Sequence, residues 1–149
     1  MSKAESVAAC FREGFNCAQA VLSAYGPGFG LGRETALKVA AAFGAGVGRM
    51  GETCGAVTGA FMVIGLAHGG TEAGDDEAKE KVYRLANEFV NRFKSRHGSV
   101  RCRELLGCDL STAEGMNYAK EAKFFETRCP GFIRDAAEIL EELLRLKDG

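Results

Sequence analysis

Apolar residues recur at intervals of three and four along nearly all of this chain, which is the spacing of one face of an α-helix. No segment alternates with the period of two that a half-buried strand shows, and both prolines lie at expected element boundaries. A chain of 149 residues is long enough to bury one core. We therefore predict an all-α fold in which residues 1–149 form a single-domain bundle of about five to seven helices.

Capping residues and helix breakers divide the chain. A first helix is predicted over residues 2–25, because Ser2 and Glu5 have the spacing of a capping box and Gly26-Pro27-Gly28 would end the helix. Gly98 follows a long amphipathic pattern and is expected to end that helix. The remaining helices are predicted over about 33–47, 54–68, 77–97 and 102–106, from Ser111 with a second capping box, and from Pro130 onward.

Charge and hydropathy exclude several classes of partner. The formal net charge of −1 gives no electrostatic reason to expect nucleic acid or an anionic membrane as a partner, since binding to either requires a concentrated basic surface. The longest apolar run, 56–67, is shorter than the roughly 20 residues of a membrane-spanning helix and contains glycine, so we expect a buried helix and no direct membrane insertion. The first residues have no apolar signal core, and we expect a cytoplasmic protein.

The six cysteines are the main indication of chemistry. In a reducing compartment they are expected to be free, metal-bound or catalytic rather than permanently paired. Cys54 opens a glycine-rich apolar segment at an expected helix start, and Cys129 directly precedes Pro130 at another. Backbone N–H groups and the positive end of the dipole favour a thiolate at such a position. Both thiols are therefore candidates for a reactive or ligating sulfur.

Arginines near two of the cysteines suggest the same behaviour. Arg101 and Arg103 flank Cys102, and Arg128 precedes Cys129. A nearby guanidinium would stabilise a thiolate. With Cys54, these two cysteines make three thiols that the sequence predicts to ionise.

Cysteine spacing restricts the choice of chemistry. Cys10 and Cys17, if on one helix, have Cα atoms about 10.5 Å apart at a rise of about 1.5 Å per residue. A disulfide requires less than about 7 Å, so they are not expected to pair. The chain has no C-x-x-C pair and no C-x-x-C-H sequence, so haem is not expected and no local metal knuckle is present.

Other candidate features have simpler interpretations. Residues 46–51 match G-x-G-x-x-G, but that fingerprint follows a strand, and the preceding residues predict helix, so a tight turn is favoured over nucleotide binding. His68 is interpreted as the end of a helix rather than as a ligand or an acid–base group. Cys10 and Cys108 are interpreted as packing residues.

Four stretches resemble one known family. The segments NCAQAVLSAYG, CGAVTGA, CRELLGCDLS and CPGFI are similar, in order and spacing, to the C-GCAxxG-C-C family of redox-active proteins. Its signature cysteines correspond to Cys17, Cys54, Cys102 and Cys129, and its glycine motif is completed by Gly55, Ala56 and Gly59. The family is defined by its thiols, often has genes near transporter genes, and has related domains in cytochromes that hold an iron–sulfur centre.

The resemblance implies redox chemistry, and three functions remain open. In the first, the four signature cysteines bind an iron–sulfur cluster, with the glycine motif beside the cofactor, and exchange electrons with an unidentified donor or acceptor. In the second, Cys54 is the nucleophile of a thiol–disulfide protein or sensor. In the third, zinc stabilises a helical binding module associated with a transporter. Small-residue helix faces could also support a homodimer.

Overall fold

The computed structural model describes residues 1–145, and these form helices without a strand. Seven helices within those residues have at least seven residues each, and two shorter ones complete the set. In chain order they are α1 (Lys3–Arg12), α2 (Cys17–Tyr25), α3 (Arg33–Val39), α4 (Gly55–His68), α5 (Asp76–His97), α6 (Cys102–Leu106), α7 (Ala113–Glu121), α8 (Phe124–Thr127) and α9 (Cys129–Leu144). The predicted all-α fold is confirmed.

Helix α4 lies at the centre of the bundle because it is apolar on nearly every side. It packs against α2, α5 and α9, and Val57, Val63 and Ile64 are fully buried in these contacts. The predicted buried helix is therefore confirmed. Helix α4 has only 14 residues, and no helix within residues 1–145 is both long and apolar enough to cross a membrane.

Helices α2 and α4 pack tightly against each other at Gly59. A Cβ atom at this position would lie 3.0 Å from the Cβ of Val21 and 3.1 Å from the carbonyl oxygen of Ala18. Glycine lets the two backbones approach at this separation. Ala60 is fully buried as well, so this small-residue face packs within the chain. The possible homodimer stays a prediction.

The prediction of one helix over residues 2–25 is wrong. Helix α1 ends at Arg12, Gly14 has a φ of +113°, and α2 begins only at Cys17. The side chain of Asn16 accepts a hydrogen bond from the Gln19 N–H, while the Gln19 side chain accepts one from the Asn16 N–H. This capping box starts a new helix. Cys10 and Cys17 are thus on different helices, and a spacing computed along one helix does not apply.

The other boundaries agree more closely with the sequence. Helix α5 ends at His97, and its C-terminal cap is Gly98, whose φ of +84° suits glycine. Helix α3 ends at Val39 rather than near residue 47, because a 3-10 turn and a left-handed segment follow. Helix α7 opens as predicted, but its cap is Thr112, which accepts from the Gly115 N–H, while Ser111 instead donates to Asp109.

Two glycines of α4 provide a matched test of the packing. We expect Gly59→Ala to lower the free energy of unfolding by about 1–3 kcal/mol, because the added methyl forces α2 away from α4. We expect Gly65→Ala to raise it by about 0.5–1 kcal/mol, because nothing lies within 4 Å of that position and alanine favours the helix. Urea denaturation of both variants measures the difference, and equal effects would contradict the close α2–α4 contact.

Candidate functional site

Cys17, Cys54, Cys102 and Cys129 line a single cavity of about 1100 Å³. All four are free cysteines. Cys54, Cys102 and Cys129 are buried within the protein but face this cavity, and Cys17 is half-buried. Four thiols that are distant in the sequence therefore meet in one place.

Each of these cysteines stands at the start of a helix. Cys54 is the N-cap of α4, and the first residues of α2, α6 and α9 are Cys17, Cys102 and Cys129. The sequence predicted this position for Cys54 and Cys129. Cys17 was missed because the break before α2 was missed. The N-termini of the longer helices α2, α4 and α9 thus direct their positive dipole ends toward the cavity.

The α2–α4 contact places Cys17 beside Cys54. A Cβ atom at Gly55 would lie 2.8 Å from the Ala18 nitrogen and 3.1 Å from the Cys17 Cβ. Only a residue without a Cβ therefore lets the start of α2 approach the start of α4 this closely. Gly55 brings the two thiols together by allowing this approach.

A short antiparallel bridge between Thr53 and Arg101 holds Cys102 next to Cys54. On one side of the bridge the Cys54 N–H donates to the Val100 carbonyl at 2.7 Å. On the other side the Cys102 N–H donates to the carbonyl of Glu52, also at 2.7 Å. These two hydrogen bonds align the start of α6 with the start of α4.

A left-handed loop forms one wall of the cavity. The five residues 45–49 have φ values of +54°, +70°, +66°, +55° and +70°. Left-handed backbone costs an L-residue about 1–2 kcal/mol, and Ala45, Val47 and Arg49 bear that cost here. Hydrogen bonds hold the loop, including one of 2.9 Å from the Glu52 N–H to the Gly46 carbonyl. Residues 46–51 are thus a tight turn after a 3-10 helix, as the sequence favoured.

The loop packs closely against Cys102. A Cβ atom at Gly46 would lie 2.7 Å from the Cys102 Cβ and 2.6 Å from the Glu52 nitrogen. Gly48, in the same loop, has no atom closer than 3.8 Å to such a position. The position of the Cys102 side chain thus depends on the absence of a side chain at residue 46.

The surroundings of Cys54 and Cys17 shift the pKa values of the two thiols in opposite directions. Hydrogen bonding from the Cys17 thiol lowers the pKa of Cys54; burial opposes this, and the N–H groups of Ala56 and Val57 lower the pKa further. The pKa of Cys17 is raised well above its ordinary value by hydrogen bonding with Cys129 and Cys54 and by burial. Cys54 is therefore the more acidic member of the pair and ionises before Cys17.

The expectation that Cys102 ionises is wrong. Burial raises its pKa to about 12, and electrostatic interaction with the neighbouring cysteines, Cys54 first, adds to the effect. The flanking arginines do not compensate, since Arg103 donates to the Met50 carbonyl at 3.0 Å and Arg101 pairs with Glu52 at 3.6 Å.

Arg128 is engaged elsewhere as well. It donates to the Leu106 carbonyl at 3.2 Å, and its guanidinium lies 3.9 Å from the centre of the Phe124 ring. Its charge acts on Cys108, where it lowers a pKa that burial raises by more.

Cys10, Cys108 and His68 lie outside the cavity lining. The Cys10 sulfur is buried 3.4 Å from the Ser23 hydroxyl, and Cys108 is half-buried beyond α6. His68 ends α4, where burial and the charge of Lys81 lower its pKa.

The proposed cofactor contact of the glycine motif Gly55, Ala56 and Gly59 stays a prediction. In the structure these residues serve helix packing and supply the N–H of Ala56 to the Cys54 sulfur.

Within residues 1–145, no group of three or more His, Cys, Asp or Glu side chains is disposed to hold a metal ion. The four cysteines nevertheless line one cavity, where the pKa of Cys54 is lowered and that of Cys17 is raised. This fold and this site define a small all-α protein organised around cysteine chemistry.

A family model described as "Putative redox-active protein (C_GCAxxG_C_C)" matches residues 15–143, and the chain belongs to this family. The resemblance seen in the sequence is confirmed, and with it the assignment to a redox-active class. The match begins at the capping box of α2 and ends in α9, so it includes all four signature cysteines. No curated protein and no solved structure is significantly similar to the chain.

The contact between Cys17 and Cys54 predicts a shift in acidity. We expect Cys17→Ala to raise the pKa of Cys54, because the thiolate loses a hydrogen-bond donor, so its alkylation at neutral pH becomes slower. Cys17→Ser keeps a donor and should have the smaller effect. Mass spectrometry of Cys54 alkylation by iodoacetamide across pH measures the shift. Cys10→Ala is the control, and an equal shift in that variant would refute the pairing.

Substitutions of Gly46 and Gly48 test whether the loop fixes the position of the Cys102 side chain. We expect Gly46→Ala to lower the free energy of unfolding by about 1–3 kcal/mol more than Gly48→Ala, because only the first places a methyl against Cys102 and Glu52. Both positions have positive φ, so the backbone cost is matched. Urea denaturation together with the alkylation rate of Cys102 gives the comparison. Similar stabilities and similar Cys102 reactivity would contradict the tight contact.

Proposed function

We propose that this protein is a thiol–disulfide redox protein in which Cys54 is the nucleophile and Cys17 its partner. The observation that carries the proposal is the opposite shift of two adjacent thiols, with the pKa of Cys54 lowered and that of Cys17 raised. A thiolate is the attacking species in disulfide exchange, and a neighbouring protonated thiol completes the reaction. The family class is in agreement with this chemistry.

The chemistry proceeds in two steps. The Cys54 thiolate attacks one sulfur of an external disulfide, forms a mixed disulfide and releases the other half as a thiolate. The Cys17 thiol then gives its proton to that leaving group or to water, and its sulfur attacks the Cys54 sulfur. This step forms a Cys17–Cys54 disulfide and releases the second half as a thiolate. Two protein thiols are oxidised, and one external disulfide is reduced to two thiols.

The other two cysteines have different parts in this proposal. Cys129 interacts with the Cys17 thiol, so it is a second group close to the reacting pair. Burial, and to a lesser degree interaction with the neighbouring cysteines, raises the pKa of Cys102 to about 12, so it remains a neutral thiol near pH 7. A neutral thiol beside a thiolate adds no repulsion, so Cys102 is compatible with a charged Cys54.

Thiol counting across defined redox buffers tests the proposal. We expect two thiols per chain to be lost as the buffer becomes oxidising and to be recovered on reduction. Cys54→Ser and Cys17→Ser should each abolish the paired loss, whereas the control Cys10→Ser should retain it, because Cys10 lies outside the cavity. A paired loss that persists in Cys54→Ser would overturn the assignment.

An iron–sulfur cluster is the second candidate, and the donor set supports it. Four cysteine sulfurs line one cavity, which is the ligand number of both common cluster types. Cys17, Cys54, Cys102 and Cys129 would hold the cluster, and its chemistry would be one-electron transfer to an external partner. The positive dipole ends of α2, α4 and α9 would favour its negative charge. The raised pKa of Cys102 means that binding must release a proton there.

Visible absorption and metal content after purification without oxygen separate the candidates. A cluster predicts iron and sulfide-to-iron absorption bands that disappear when the four cysteines become serine. The matched control replaces Cys10 and Cys108 by serine, because neither lines the cavity. Zinc without colour would favour a structural site. Protein without iron after reconstitution would exclude the cluster and leave the thiol–disulfide proposal standing.

A further inference from the structure

The charged residues of the cavity are mostly basic. Of the residues that line it, Arg12, Arg49, Lys120 and Arg134 are cations, and Glu126 is the one carboxylate. The whole chain, by contrast, has a formal charge of −1. The cavity lining therefore has a net positive charge, although the chain as a whole does not.

These cations come together only through folding. Arg12 ends α1, Arg49 belongs to the left-handed loop, Lys120 is in the last turn of α7, and Arg134 is on α9. Within residues 1–145 none of the four forms a salt bridge, whereas Arg33, Arg92, Arg96 and Arg101 all do. Like charges around a cleft focus a positive potential into it. The four side chains are exposed to solvent, so an anion that enters the cavity has direct access to them.

Much of the remaining lining is apolar. Phe11, Phe15, Leu105, Met116 and Phe125 are half-buried and line the cavity. A volume of about 1100 Å³ lies slightly above the range of about 300–1,000 Å³ typical of small-molecule sites. A cavity with apolar walls, basic side chains and reactive thiols suits a ligand with a hydrocarbon or peptide body and anionic groups.

We propose that the cavity binds a low-molecular-weight disulfide carrying two or more carboxylates, and that this molecule is the oxidant of Cys54. The inference rests on the proposed thiol–disulfide function and adds the substrate class. The carboxylates pair with the cavity cations, which leaves the disulfide over the thiols. Cys54 and Cys17 then become a disulfide, and the bound molecule leaves as two carboxylate-bearing thiols.

Three aliphatic disulfides of different charge test the proposal. Dithiodipropionate is a dianion, bis(hydroxyethyl) disulfide is neutral and cystamine is a dication. We expect the rate of Cys54 oxidation, followed by mass spectrometry at low salt, to be about tenfold higher for the dianion than for the neutral compound and lowest for the dication. The preference should shrink as salt is added.

A variant with Arg12, Arg49, Lys120 and Arg134 all replaced by glutamine tests the assignment of the cations. We expect the ratio of dianion to neutral rates to fall several-fold. The control replaces Lys79, Lys81, Arg84 and Lys94 of α5 by glutamine, which changes the net charge equally but lies outside the cavity lining. This control should keep the ratio, and circular dichroism verifies that both variants fold.

The outcomes distinguish this inference from the function on which it rests. Oxidation of Cys54 at equal rates by all three compounds would overturn the inference and leave the proposed function intact. A charge preference that persists in the cavity variant, or is lost equally in the α5 control, would overturn the assignment to these cations. No reversible oxidation by any of the three would overturn the proposed function and the inference with it.

Discussion

The close approach of α2 to α4 is the contact on which the site depends. Gly55 and Gly59 let the backbones meet at a distance that any side chain would prevent, and this places the first residue of α2 beside the N-cap of α4. Cys17 and Cys54 are those two residues. The glycines that follow the cysteine in the C-GCAxxG motif therefore have a structural role, since they allow a second thiol to lie beside the first.

The surrounding structure gives the two thiols different roles. Cys54 receives hydrogen bonds from the Cys17 thiol and from the N–H groups of Ala56 and Val57, so the negative charge is stabilised on its sulfur. Cys102 is held nearby by a short bridge and a strained loop but keeps its proton because it is buried. The bundle thus lowers the pKa of one thiol, Cys54, and raises the pKa of Cys17 and Cys102 beside it. Four basic side chains line the same cavity as these thiols.

Much of the fold could be predicted from the sequence. The helical spacing of apolar residues, Gly98 after α5 and the apolar run of α4 follow from local rules that the structure obeys. The break before Cys17 was missed because apolar spacing continues across it, although Asn16 and Gln19 carried the signal of a cap. The ionisation of Cys102 was wrongly expected because sequence proximity does not show where an arginine points. The glycines of residues 46–51 predicted a turn but not the left-handed conformation of Ala45, Val47 and Arg49. The four cations of the cavity have no local signature, since only tertiary contacts bring them together.

The central claim is that Cys17 and Cys54 are a redox pair. Its most direct test is peptide mapping by mass spectrometry after the reduced protein has reacted with one equivalent of a small disulfide and been quenched with acid. The account predicts a peptide that joins Cys17 to Cys54, with Cys10 and Cys102 recovered as free thiols. A disulfide that leaves Cys54 free, or joins it mainly to Cys102, would contradict the account.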